Sequence, residues 1–314
     1  MLETILIRHN QNLAEVIKNY YQLTKPRIIP LLLITTAASM SIASEGKIDL
    51  FLLLVTLLGG TLAAASAQVL NCVYDRDIDY TMTRTRTRPI PSGKVRSQSA
   101  LIFAAVLGIS SFFILVTWAN LLAALLAMSG IVFYMLVYTH WLKRYTTQNI
   151  VIGGAAGSIP PLVGWAAVTG ELSLTCWLLF GTIFLWTPPH FWSLALMIKE
   201  DYAEVGVPML PVIEGEEATV KQIWIYSWLV VFCSLLLISP VGNLGMLYGV
   251  AAFYLGYEFL CKAEKLKQNP FDRQLAREMF KYSIFYMMLL CIAIVIDTLP
   301  ITHYGYDYLY YLCF

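Results

Sequence analysis

The chain has 314 residues, of which 58% are hydrophobic and 13% charged; its formal net charge is +1 and its mean hydropathy +0.66. This composition excludes a soluble domain and describes an all-α polytopic membrane protein; the net charge by itself says nothing about nucleic acid, which is not an expected partner, and the distribution of charge matters more than its sum. Six cysteines (Cys72, Cys176, Cys233, Cys261, Cys291 and Cys313) lie in or beside apolar runs without paired or zinc-ligand spacing, and they read as buried thiols.

Residues 1–26 form an N-terminal cytoplasmic or interfacial segment. Ile5, Leu13, Val16, Ile17 and Tyr20 recur between charges and predict a short helix on the membrane surface. The segment lacks the apolar core and small-residue cleavage site of a signal peptide, so no removal is expected. Lys25-Pro26-Arg27 then opens the first of nine apolar stretches of bilayer-spanning length, near 27–44, 49–72, 98–118, 120–139, 149–169, 173–197, 222–240, 243–261 and 281–299. They make up a nine-helix transmembrane domain, 27–300, followed by a short tail, 301–314.

With nine spans, 20 of the 21 Lys and Arg residues fall on the side of the N-terminus and of the loops after spans two, four, six and eight; Lys47 is the exception. The positive-inside rule makes that side cytoplasmic and puts the C-terminus across the membrane. These same loops are the long ones and hold nearly all the acids, so function is expected at the cytoplasmic face.

The second span ends in Asn71-Cys72-Val73-Tyr74-Asp75-Arg76-Asp77-Ile78-Asp79. On a continuous helix Asn71, Asp75 and Asp79 share one face, about 6 Å apart per step, while Asp77 points away. Two carboxylates and an amide oxygen suit a hard divalent cation and a phosphate carried by it. The plainer reading is a solvated helix end whose acids pair with Arg76 or Arg84. Ionisable groups at the edge of a membrane segment are rare and usually functional, which favours the metal. The following Arg84, Arg86 and Arg88 run to Pro89-Ile90-Pro91, which ends any helix; their guanidiniums suit anionic oxygens of either a ligand or lipid headgroups, and for Arg86 lipid or solvent is preferred.

Span four ends at Tyr138-Thr139-His140-Trp141-Leu142-Lys143-Arg144. The two bases either cap the helix dipole or clamp a diphosphate opposite Asp75 and Asp79. In span five, Gly153, Gly154 and Gly157 permit close helix contact, and Pro160-Pro161 is expected to break the helix beside a cavity. Span six carries Trp186-Thr187-Pro188-Pro189-His190-Phe191-Trp192, where His190 is either a packing residue or part of an aromatic wall for a large flat ligand, its imidazole able to ligate haem iron. Lys262 to Lys281 reads as a solvated anchor.

The run Asn71-x3-Asp75-x3-Asp79-x2-Met82-x-Arg84-Thr85-x2-Arg88-Pro89 resembles the first aspartate-rich motif of the UbiA superfamily of intramembrane prenyltransferases. Thr24-Lys25-Pro26-Arg27, Trp141-Leu142-Lys143-Arg144 and Thr187-Pro188-Pro189-His190-Phe191-Trp192 resemble its haem-farnesylating branch, and the likeness covers about residues 20 to 300. It departs from the superfamily at Ile198-Lys199-Glu200-Asp201-Tyr202, where a second Asp-x3-Asp is common, which puts a second metal site in doubt.

The resemblance implies transfer of a farnesyl group from farnesyl diphosphate to a vinyl group of haem B with addition of water, serving a later haem A synthase or oxidase assembly. It implies Mg2+ at Asn71, Asp75 and Asp79, with Lys199 and Asp201 also in the catalytic set, Lys199 replacing a second cation and Asp201 binding metal or orienting Lys199. Lys25, Arg27, Arg84, Arg88, Tyr138, Lys143, Arg144, His190, Trp192 and Tyr202 would contact the substrates, and Trp186, Phe191 and Trp192 would wall the carbocation. The membrane would be a bacterial plasma membrane. A prenyltransferase for a quinone or chlorophyll precursor is the nearest alternative, and a secondary transporter is a rival of another class; the clustering of acids at one face instead of the midplane argues against the transporter.

Overall fold

The computed structural model describes residues 12–299, so Ile5, Arg8, Cys313 and the tail 301–314 lie outside the described residues. Thirteen α-helices account for the described architecture: α1 (Leu13–Leu23), α2 (Ile29–Ala43), α3 (Leu50–Tyr74), α4 (Arg76–Thr81), α5 (Ser97–Trp118), α6 (Leu121–Val132), α7 (Asn149–Thr169), α8 (Leu174–Met197), α9 (Lys199–Glu204), α10 (Leu210–Ile213), α11 (Gly215–Leu235), α12 (Met246–Gln268) and α13 (Arg273–Asp297). Directly after α6 the chain continues as a π-helix, Phe133–Leu142. Among the described residues the extended pairing is confined to a single bridge between Ile238 and Leu244.

Long apolar runs become helices because hydrocarbon offers no partner for a backbone amide. Four of them start where a polar side chain satisfies the first free N–H groups: Asp49 accepts from Phe51 N and Leu52 N, Asn120 from Ala123 N, Ser173 from Cys176 N, and Asp272 from Gln274 N and Leu275 N. Each expected apolar stretch coincides with a helix over most of its length, although 236–240 and 243–245 lie outside α11 and α12. Among the described residues six helical runs are long and apolar enough to cross a bilayer: α3, α5, α6 with its π-helical extension, α7, α11 and α13. Helix α2 is apolar but shorter, and α8 and α12 are not among these six.

Helix α3 lies along α5; α7 packs between α2 and α8; α8 also meets α11 and α13. One face of α3 (Leu50, Leu54, Leu58) is left exposed, at the spacing of a lipid-facing stripe. Two glycines let helices close up where a side chain would not fit. A Cβ on Gly153 would overlap the Tyr138 ring, and one on Gly164 would meet the Thr36 carbonyl.

The structure corrects two expectations, the break at Pro160-Pro161 and the uninterrupted helix from Asn71 to Asp79, and adds detail to others. Neither proline pair breaks its helix: α7 runs through Pro160 and Pro161, and α8 through Pro188 and Pro189. Nearby hydroxyls bond the local carbonyls, with Ser39 donating to Pro161 O (2.6 Å) and Ser193 to Pro189 O (2.6 Å). The Asn71–Asp79 stretch is not one uninterrupted helix, since Asp75 is the residue between α3 and α4. Residues 262–281 are mostly helix, because α12 and α13 extend from the apolar region to a short turn. Span four ends in π-helical turns, a rare form that the apolar pattern does not announce.

Candidate active site

The site forms where α3 leaves the apolar layer. Although α3 stops at Tyr74, the backbone bonds continue across the junction, Asp75 N to Asn71 O (2.9 Å) and Asp79 N to Asp75 O (2.8 Å). Asn71, Asp75 and Asp79 therefore stay on one face, 3%, 2% and 4% exposed. Asp77 points outward as its position in the turn requires, its side chain 60% exposed.

Each of the three buried residues meets a cation. Lys25 Nζ donates to Asn71 Oδ1 (2.7 Å), and Asn71 Nδ2 donates to Asp75 Oδ2 (2.7 Å). Lys143 Nζ is paired with the same Asp75 oxygen. Arg88 Nη1 donates to both carboxylate oxygens of Asp79, at 2.8 Å each. Asp75 Oδ1 is buried and accepts no hydrogen bond; Arg144 Nη2 stands 3.6 Å away. Arg144 is held instead by Asp77, through two nearly parallel bonds of 2.7 and 2.8 Å. These bonds hold the Asp77 carboxyl down at about 2, below the ordinary carboxylate range, and raise Arg144. Burial lowers the Lys25 ammonium.

The π-helix supplies the opposing wall. Its i→i+5 bonding, seen in Lys143 N to Tyr138 O (2.8 Å), turns Thr139 as well as Lys143 toward α3. Thr139 donates to Tyr134 O (2.8 Å) and accepts from Asn71 Nδ2 (3.3 Å). Tyr138, seated on Gly153, lies within electrostatic reach of Asp75. Burial raises the Tyr202 hydroxyl, and Tyr138, Arg84, Lys143 and Asp201 act on it electrostatically, which brings α9 within electrostatic reach of the site.

Other expected residues do not converge in the same way. Lys199 donates to Glu216 at the start of α11 (2.9 Å), and Arg273 pairs with Glu200. Arg27 and Arg84 are exposed. His190, Phe191 and Trp192 splay around α8 at about 100° per residue and do not form one wall. His190 is stacked between Trp186 (4.4 Å) and Phe280 (4.7 Å), with Nδ1 on Ser283 Oγ (2.7 Å). Phe191 is exposed on the outer surface, and Trp192 is buried edge-on to Tyr226.

Sequence reasoning missed Thr139, Thr85 and the anchoring role of Asp77. Thr85 is buried and donates to Asp79 O (3.0 Å), fixing the loop that carries Arg88. A threonine between Tyr138 and His140 at the end of an apolar run was the available signal for the first; the other two depend on the folded turn.

Among the described residues no group of three or more His, Cys, Asp or Glu gathers as a metal cluster. The oxygen set of Asn71, Asp75 and Asp79, with the buried Asp75 Oδ1 that accepts no hydrogen bond, fits a hard cation that takes its remaining ligands from phosphate or water.

The model of the UbiA prenyltransferase family matches residues 32–285. A protoheme IX farnesyltransferase from Synechocystis sp. is 70% identical over 96% of this chain and 95% of its own length. One from Picosynechococcus sp. is 69% identical over 96% of each. Among solved structures, one from work on digeranylgeranylglyceryl phosphate synthase superposes with a TM-score of 0.75 at 21% identity, covering 90% of this chain and 99% of that one. A UbiA homologue from Archaeoglobus fulgidus bound to DMAPP and Mg2+ gives 0.60 at 14% identity, covering 88% and 99%. These two share the fold.

Proposed function

The chain belongs to the UbiA prenyltransferase family, and from that premise we propose that it transfers the farnesyl group of farnesyl diphosphate to a vinyl group of haem B, with addition of water, giving haem O and diphosphate. The observation that carries this reading is the buried cluster in which Asn71, Asp75 and Asp79 meet Lys25, Arg88 and Lys143 at one end of a helical membrane bundle. Relatives of that name along nearly the whole length support the choice of acceptor.

Asn71, Asp75 and Asp79 would hold Mg2+, which when bound neutralises charge on the diphosphate leaving group. Arg88 and Lys143 lie beside these oxygens and take up the charge that develops as the allylic carbon–oxygen bond breaks; Arg84, exposed on the same loop, adds to the field. Arg144 orients the outer edge, held by Asp77. Tyr138, packed over Gly153, and Tyr202 would limit the access of water to the allylic cation. The vinyl π electrons form the new carbon–carbon bond, a water oxygen adds to the resulting cation, and its proton leaves, so that the vinyl becomes a hydroxyethylfarnesyl group and the only by-product is diphosphate.

Lys199 and Asp201 reach this chemistry by a change of partner, Lys199 giving up Glu216 for diphosphate. The catalytic unit comprises residues 27–300 with Lys25 drawn in from the preceding segment. The site faces the cytoplasm of a bacterial plasma membrane, and haem O passes to haem A synthase or to oxidase assembly.

Incubating membranes that contain the chain with haem B, farnesyl diphosphate and Mg2+, and reading the extracted haems by mass spectrometry, tests the reading. A haem heavier by farnesyl plus water is expected. Unchanged haem B with well-inserted protein would shift the acceptor to an aromatic ring.

A further inference from the structure

The oxygens that would hold a metal are already engaged by the cations that would hold the diphosphate. Asn71 Oδ1 accepts from Lys25, Asp75 Oδ2 from Lys143 and from Asn71 itself, and both oxygens of Asp79 from Arg88. Asp75 Oδ1 is the exception, buried and accepting no hydrogen bond, with Arg144 Nη2 3.6 Å away. A divalent cation could dock first on Asp75 Oδ1, but to gain a second carboxylate it must face the guanidinium already seated on Asp79.

With Asp75 and Asp79 buried, water screens this conflict little. The two cations are more exposed to solvent than the carboxylates they meet. The side chain of Arg88 is 32% exposed and that of Lys143 14%, against 5% and 3% for their partners. The backbone around Arg88 is fixed independently of its guanidinium, by Thr85 Oγ1 on Asp79 O (3.0 Å) and Arg88 N on Thr85 O (2.9 Å). A swing of the side chain therefore needs no movement of the loop. Diphosphate oxygens offer a guanidinium and an ammonium the same charge-assisted bonds that the carboxylates do.

We infer that Arg88 and Lys143 compete with the metal for Asp79 and Asp75, and pass to the diphosphate as the metal takes their place, so that metal and diphosphate bind as a couple. This rests on the prenyl-transfer reading of the site. Arg144 stays out of the exchange because Asp77 holds it in two bonds. Arg88 and Lys143 thus act as positioning residues for the metal ligands before they touch substrate.

Mn2+ alone, titrated into the purified full-length chain and followed by its electron paramagnetic resonance signal, tests the exchange with neither substrate present. Arg88→Gln should bind Mn2+ at least about tenfold more tightly than the unaltered chain, equivalent to about 1.4 kcal/mol. Asp79→Asn added to Arg88→Gln should abolish that gain. Arg86→Gln removes the same charge from the same exposed loop and should change the affinity less than about twofold, a size set by screening of exposed charges. A merely structural role for Arg88 would weaken metal binding, never strengthen it.

Equal or weaker Mn2+ binding by a folded Arg88→Gln protein would overturn the exchange. If that variant does not fold, Lys143→Gln takes its place with the same expected gain and the same overturning result. Mn2+ affinity that is indifferent to both Asp75→Asn and Asp79→Asn in the unaltered chain would instead remove the metal reading on which the exchange rests.

Discussion

The ring of Tyr138 occupies the space in which residue 153 would carry a Cβ. The glycine on α7 thereby sets the position of a tyrosine on the π-helix, and that tyrosine stands close to Asp75. Gly153→Ala should lower turnover while the protein still inserts, at a cost of about 1–3 kcal/mol from overpacking. Thermal unfolding in detergent gives the second quantity and haem product the first. Full activity would mean that Tyr138 can move without consequence.

Asp75→Asn and Asp79→Asn should each reduce haem product by at least about a hundredfold, the scale of losing one major electrostatic contributor. The amide keeps the shape, whereas alanine would also strand Lys143 or Arg88, and breaking such a buried pair costs about 3–5 kcal/mol. Chelation of divalent metal should mimic either variant and be reversed by added Mg2+. Wild-type turnover in either variant would defeat the metal assignment.

The Asp77–Arg144 pair should survive to low pH. The Asp77 carboxyl is held at about 2 by Arg144, below the ordinary carboxylate value, so its stabilisation is complete above the unfolded-state value and is lost as pH falls through about 2. Its side chain is 60% exposed, and screening limits the pair to less than about 1 kcal/mol. Asp77→Asn should therefore lower the unfolding midpoint slightly at neutral pH, with the difference from the unaltered chain shrinking toward pH 2. A difference that grew as the pH fell would contradict the assignment.

His190 has both ring faces covered and Nδ1 engaged by Ser283. His190→Gln should leave the Soret band of bound haem B unchanged, while the loss of stacking destabilises the α8–α13 contact by about 0.5–1.5 kcal/mol. A shifted Soret band in the variant would make His190 an iron ligand.

Much of the bundle could be read from the chain because hydrocarbon permits few solutions. Apolar runs of sufficient length must be helices, and Asp49, Asn120, Ser173 and Asp272 mark where four of them begin. Helical periodicity likewise put Asn71, Asp75 and Asp79 on one face and Asp77 off it, since that geometry is local. Tertiary structure decided the partners. Lys25 reaches Asn71 across 46 residues and Lys143 reaches Asp75 across 68, a pairing that no local pattern encodes. The π-helical register that turns Thr139 and Lys143 inward depends on the packing of Tyr138 over Gly153. Four prolines stay within continuous helices, and neighbouring hydroxyls bond to the carbonyls of Pro160, Pro161 and Pro189. His190, Phe191 and Trp192, adjacent in sequence, separate because each faces a different neighbour. Sequence alone determined which residues carry charge to the membrane edge; only the packed helices determined which charges meet, because that depends on distances between spans and not along them.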